Sequence, residues 1–157
     1  MSAFLSGYDL SVLAIPAFYV LSMAPHIFAI RTATQGNMSR WDNRNPRSTT
    51  MKAKLQKQLS PDVFARYERY ESCHKNGLES LPLFVSAVVL GNLAGLKRDE
   101  MSTFAASFLA VRLLYTVVYT THTTQGMGGL RTGIWYVGSI LCFRTIIRAA
   151  GALGSRG

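Results

Sequence analysis

The sequence predicts an all-α fold: an integral membrane, antiparallel four-helix bundle, formed as a single domain over residues 1–157. Three observations predict it. Hydrophobic residues make up 48% of the chain and charged residues only 16%, an apolar balance for a water-soluble globule. Four stretches, at about 10–30, 77–96, 101–121 and 130–147, carry almost no charge and are long enough as helices to cross roughly 30 Å of hydrocarbon. The net charge of +9 is also concentrated, with nine Lys/Arg against three Asp/Glu between Arg31 and Arg69. A nucleic-acid-binding protein spreads such charge along a groove-reading surface. A basic loop between apolar spans instead meets phospholipid headgroups on the cytoplasmic side, so the expected partner is the bilayer and not nucleic acid.

The first span, LSVLAIPAFYVLSMAPHIFAI, has no full charge, and no Lys or Arg precedes Arg31. It lacks the basic n-region of a cleaved signal and is expected to remain as an anchor. Pro16 and Pro25 should bend it, as membrane helices tolerate when neighbours satisfy the freed carbonyls. The basic loop 31–68 follows. Within it SRWDNRNPRS has the Asp, Asn and Asn-Pro chemistry of turns. Ser60-Pro61-Asp62 marks a helix start, with Ser60 as N-cap and Pro61 in the first helical position. The second helix therefore begins before the membrane and enters it close to Asn76.

Glu79 is the only charge in the second span, and KRDE (97–100) forms the turn after it. The third span contains one charge, Arg112, and QGMGG (125–129) reads as a glycine-rich turn into the fourth. Short connections make the antiparallel bundle the simplest topology. The positive loop faces the cytoplasm, which puts both termini on the opposite side. Cys73 and Cys142 share no metal or disulfide spacing and read as reduced, packed thiols.

Residues three and four apart share a helix face. Arg69, Ser72, Asn76 and Glu79 form one polar stripe, and Arg112, Tyr115, Tyr119 and His122 form another. The strong apolar residues of the third span contribute roughly 2.4–4.8 kcal/mol on the insertion scale, barely offsetting an unpaired Arg112 at about 3 kcal/mol. Arg112 is therefore expected to pair with Glu79. The stripes could equally be structural, as an intramembrane ion pair with interfacial tyrosines. His26, His74 and His122 are dispersed and read as structural residues without a metal site, and Tyr67 and Tyr70 as headgroup anchors.

The segment RYESCHKNGLESLPLF resembles the second-helix signature of the MAPEG family, the membrane-associated proteins in eicosanoid and glutathione metabolism. Asn76, Glu79 and Pro82-Leu83-Phe84 match its Asn, its Glu three residues on, and its Pro-Leu-Phe. RLLYTVVYTT resembles the family's Arg-x-x-Tyr-x-x-x-Tyr pattern at Arg112, Tyr115 and Tyr119. Arg131-Thr132 resembles its Arg-Ser pair, and Asn45-Pro46 an Asn-Pro step in the first loop. The similarity covers essentially the whole chain. Ser72 departs from it: many glutathione-using members have arginine there, and here Lys75 and Arg69 are the nearby cations.

The resemblance implies a homotrimer in the endoplasmic reticulum or another intracellular membrane, binding glutathione between subunits and acting on a lipophilic small molecule. Arg69, Ser72, Lys75, Asn76, Glu79, Arg112, Tyr115 and Tyr119 are the implied glutathione contacts, and Arg131, Tyr119 and Glu79 the implied catalytic residues. Glutathione brings two carboxylates, an ammonium and a thiol. Cations suit the first, Glu79 the second, and Asn76 can donate and accept to the peptide. A free thiol has a pKa near 8.5, and an adjacent guanidinium favours the nucleophilic thiolate. Arg131, near a helix N-terminus, is the candidate for that task. Two alternatives stay open: thiol-independent isomerisation or cyclisation by acid/base chemistry in the same pocket, and a non-catalytic membrane scaffold.

Overall fold

The computed structural model describes residues 7–46, 48–121 and 124–156. Among the described residues the regular elements are five α-helices and one 3-10 turn: α1 (Leu10–Ala33), the turn Met38–Arg40, α2 (Thr49–Gln58), α3 (Pro61–Leu93), α4 (Arg98–Thr121) and α5 (Gln125–Gly154). Helices α1, α3, α4 and α5 are each long and apolar enough to cross a membrane. At 1.5 Å per residue, α3 is roughly 50 Å long. It outruns the hydrocarbon and carries its first turns out toward the basic loop.

Asp9 starts α1. Its carboxylate accepts from the backbone N–H of Ser11 at 2.8 Å and of Val12 at 3.2 Å, and from the Ser11 hydroxyl at 2.6 Å, satisfying donors that have no intrahelical acceptor. Helix α1 stays continuous through Pro16 and Pro25, and it packs most extensively on α3. Gly77 makes this approach possible: a Cβ there would lie 2.7 Å from the Ser22 side chain, the small-residue contact by which membrane helices come close. Helix α3 ends in a Schellman turn. Gly95 has φ of 70°, while Leu96 N–H donates to Gly91 O and Gly95 N–H to Asn92 O, both at 3.0 Å.

The bundle core is aromatic. Phe84 and Phe108 stack with centroids 4.1 Å apart, and Phe18 meets both edge-on at 5.6 and 5.0 Å, geometries that suit the ring quadrupoles. Phe84, the last residue of the Pro-Leu-Phe signature, is fully buried; in this chain that position is a packing element.

Three sequence expectations need correction. The loop contains a helix, α2, whose N-cap Ser48 accepts from Met51 N–H at 3.1 Å; Lys52 ties it to Glu68 of α3 at 2.8 Å. The turn between the second and third spans comes earlier than KRDE, because Arg98 already opens α4. The fourth helix runs from Gln125 to Gly154, so QGMGG is its first turn and not a connection. Glycine is tolerated there because the first N–H groups of a helix lack intrahelical partners in any case. The expected start of α3 is observed, with Ser60 at the N-cap and Pro61 in the first turn, and the Ser60 side chain makes no capping hydrogen bond. In the loop, hydrogen bonds from the Arg44 side chain and backbone hold the Asp42 carboxyl down to about 2.

Candidate functional site

Helix α3 presents Ser72, Lys75, Asn76 and Glu79, α4 presents Tyr115 and Tyr119, and α5 presents Arg131, Thr132 and Trp135 to one groove of about 400 Å³. Three helices thus supply it, at the end of the bundle that bears the basic loop. Their spacing does the work: 72, 75/76 and 79, then 115 and 119, then 131, 132 and 135 each keep one face of a 3.6-residue helix. Thr132 is legible in the sequence only as the second residue of the Arg-Ser-like pair, and Trp135 carries no motif. Trp135 falls one turn after Arg131, and that interval is the signal that could have found it.

Arg112 lies behind the groove and is only 2% exposed. Its expected partner, Glu79, is not the one it takes. The guanidinium Nη2 donates to Asn76 Oδ1 at 3.0 Å and to the Asn76 carbonyl at 3.3 Å. Its Cζ sits 4.5 Å from the Tyr115 ring centroid and 5.3 Å from that of Phe18, so aromatic faces share in stabilising the cation. Asn76 lies one turn nearer than Glu79 and intercepts the guanidinium, which leaves Glu79 exposed at the groove. The Arg112 Nε remains buried without a hydrogen-bond partner.

A guanidinium only donates, so it fixes which end of the Asn76 amide it meets. Oδ1 is taken, and Nδ2 is left as the donor at the groove. Tyr115 is buried and packs against Tyr119 with centroids 5.6 Å apart at 63°. The Arg131 Cζ lies 4.3 Å from the Tyr119 centroid, which couples the groove's guanidinium to its outer phenol. Arg69 does not line this groove; it borders a smaller adjoining cavity. His122 lies outside the described residues.

Beyond the groove, His26 and His74, far apart in sequence, form a cluster. His26 Nδ1 is 2.6 Å from Glu71 Oε1, His74 Nδ1 is 2.9 Å from the Ser22 carbonyl, and the two rings stack at 4.9 Å. This cluster bonds α1 to α3. Among the described residues no group of His, Cys, Asp and Glu is arranged to hold a metal ion.

The groove gathers groups of both charges that could hold a zwitterionic ligand. Lys75 and Arg131 offer cations to carboxylates, Glu79 an anion to an ammonium, and the Asn76 amide a donor to a peptide carbonyl. Tyr115, Tyr119 and Trp135 add aromatic side chains to the lining. Comparison with curated proteins and with solved structures gives no match. The MAPEG family model matches residues 10–151. Nearly the whole four-helix unit is covered, and the chain belongs to the MAPEG family, a multi-pass membrane protein with a general enzymatic role in membrane lipid metabolism.

Proposed function

We propose that the protein is a glutathione-dependent membrane enzyme of the transferase or peroxidase type, acting on a lipophilic substrate delivered from the bilayer. The observation that carries it is the groove itself, where one anion, two cations and an oriented amide face the same space as three aromatic rings. Glutathione, when bound, supplies the thiol nucleophile. Glu79 holds its ammonium, and Lys75 and Arg131 hold its carboxylates and the developing thiolate. Asn76, fixed by Arg112, donates to its peptide. Tyr119, held under Arg131, orients the sulfur end. Ser72 contributes a hydroxyl where related glutathione users carry arginine, so Lys75 supplies the cation as a point charge instead of a planar fork. Exposed Ser72, Lys75 and Glu79 would meet a neighbouring subunit in a homotrimer.

The thiolate has its own ultraviolet absorbance. Titrating glutathione into the nanodisc-embedded protein should produce that signal near neutral pH. Arg131→Gln should remove it while glutathione still binds, and turnover of an apolar electrophile should fall about 10²-fold or more with it. Binding with no thiolate signal in the wild type would refute the assigned role of Arg131.

A second reading rests on a specific contact. Tyr119 under the Arg131 guanidinium, with Glu79 in the same groove, forms an acid and base pair that needs no thiol. Turnover of a lipophilic substrate in glutathione-free buffer, lost in both Tyr119→Phe and Glu79→Gln, would select isomerisation or cyclisation over thiol transfer.

A further inference from the structure

Arg69 and Arg131 meet at a second cavity of about 170 Å³, which adjoins the groove and shares Tyr119 and Arg131 with it. None of its lining residues is acidic. Among the described residues neither arginine forms an ion pair. Two guanidinium groups in one small cavity repel each other unless an anion lies between them. The Arg69 Nε is buried and has no hydrogen-bond partner.

The third contribution comes from the start of α5, which borders the same cavity at Met127 in its opening turn, between the N-cap Thr124 and Gly128, whose own N–H already donates to the Thr124 carbonyl at 3.3 Å. The opening N–H groups of a helix have no intrahelical acceptor and carry partial positive charge. Thr124 stands at the N-cap without a capping hydrogen bond from its side chain, so its hydroxyl is not committed to the helix. The lining combines two arginines, a tyrosine, a threonine and a helix start with the apolar Val118 and Met127, a donor set suited to one tetrahedral, multiply accepting group.

We propose that this cavity is a binding site for a single phosphate-type oxyanion, distinct from the groove that takes the peptide thiol. The oxyanion would bridge Arg69 and Arg131 and accept from the start of α5. Two sources share this chemistry, a phosphomonoester lipid headgroup at the loop end of the bundle and a soluble phosphate. Arg131 borders both spaces, so a bound oxyanion draws on the charge that the groove uses. That coupling rests on the proposed thiol chemistry, whereas the binding itself does not.

The test measures thermal stabilisation of the full-length protein in phosphatidylcholine nanodiscs as inorganic phosphate is titrated, and separately in nanodiscs containing phosphatidic acid. Arg69→Gln should weaken the saturable effect at least 10-fold. Gly128→Asp should abolish it by placing a carboxylate beside the cavity; no atom lies within 4 Å of a Cβ at that position, and an acidic residue suits the first turns of a helix. Arg44→Gln, which removes a cation from the exposed loop, should leave it unchanged. Saturation by phosphate identifies a soluble oxyanion as sufficient, and saturation only with phosphatidic acid identifies the headgroup. Stabilisation by neither, or stabilisation that persists in Gly128→Asp, would overturn the proposal. Glutathione is absent from every arm, so failure here and failure of the thiol chemistry are separable.

Discussion

Arg112 is a nearly buried cation whose charge is answered by an amide and two aromatic rings in place of a carboxylate. Removing its acceptor should therefore be costly. Asn76→Leu is expected to destabilise the protein by about 1–3 kcal/mol, read as a lower midpoint in thermal unfolding in detergent. The double variant Asn76→Leu/Arg112→Met should recover much of that loss, since apolar replacement of both partners leaves no stranded charge. Asp9 gives a residue-scale prediction with a pH dependence. The hydrogen bond from Ser11, foremost, lowers its pKa from the ordinary 3.8. A lowered carboxylate contributes stability above its unfolded value and loses it as pH falls through the folded value. Asp9→Ala should thus cost about 1 kcal/mol near neutral pH, and the gap to the wild type should close as pH falls below about 3.8. At this scale the sequence was partly legible. Spacing brought Glu79, Asn76, Tyr115 and Tyr119 to facing stripes, but the partner of Arg112 depended on which side chain across the interface lay nearer, and periodicity carries no such distance.

At the level of elements, helix existence was written in hydrophobic runs and in the Ser60-Pro61 start, while the ends were not. QGMGG has turn composition, yet a helix start tolerates glycine, and nothing local forces a break once Leu130 onward is helical. The missed helix α2 is polar and short, and its evidence lay in the Ser48 cap with Met51, Leu55 and Leu59 four apart, the last two buried. The closeness of α1 and α3 yields a prediction of its own. Replacing Gly77 with Ala gains roughly 1 kcal/mol of helix propensity, but its Cβ would fall 2.7 Å from Ser22, and overpacking typically costs 1–3 kcal/mol. Gly77→Ala should be neutral to destabilising, and Ser22→Gly added to it should raise the unfolding midpoint again. An unfolding midpoint above the wild type for Gly77→Ala alone would contradict the close α1–α3 contact.

For the whole molecule, the groove opens on a face where Ser72, Lys75 and Glu79 are exposed. Such polar groups within apolar helices are expensive against lipid, and a second subunit is the economical cover. Native mass spectrometry from detergent is expected to show three chains, and a monomer that turns over substrate would remove the intersubunit site. In the proposed function, the polar faces of α3, α4 and α5 converge on one site for a zwitterionic thiol. Calorimetric titration of glutathione into the nanodisc-embedded protein tests it most directly, with Glu79→Gln as the comparison. Saturable binding weakened about 10- to 100-fold by that substitution is expected, the loss of one hydrogen-bonded charge contact; no binding by the wild type, or equal affinity in the variant, would contradict a shared thiol site.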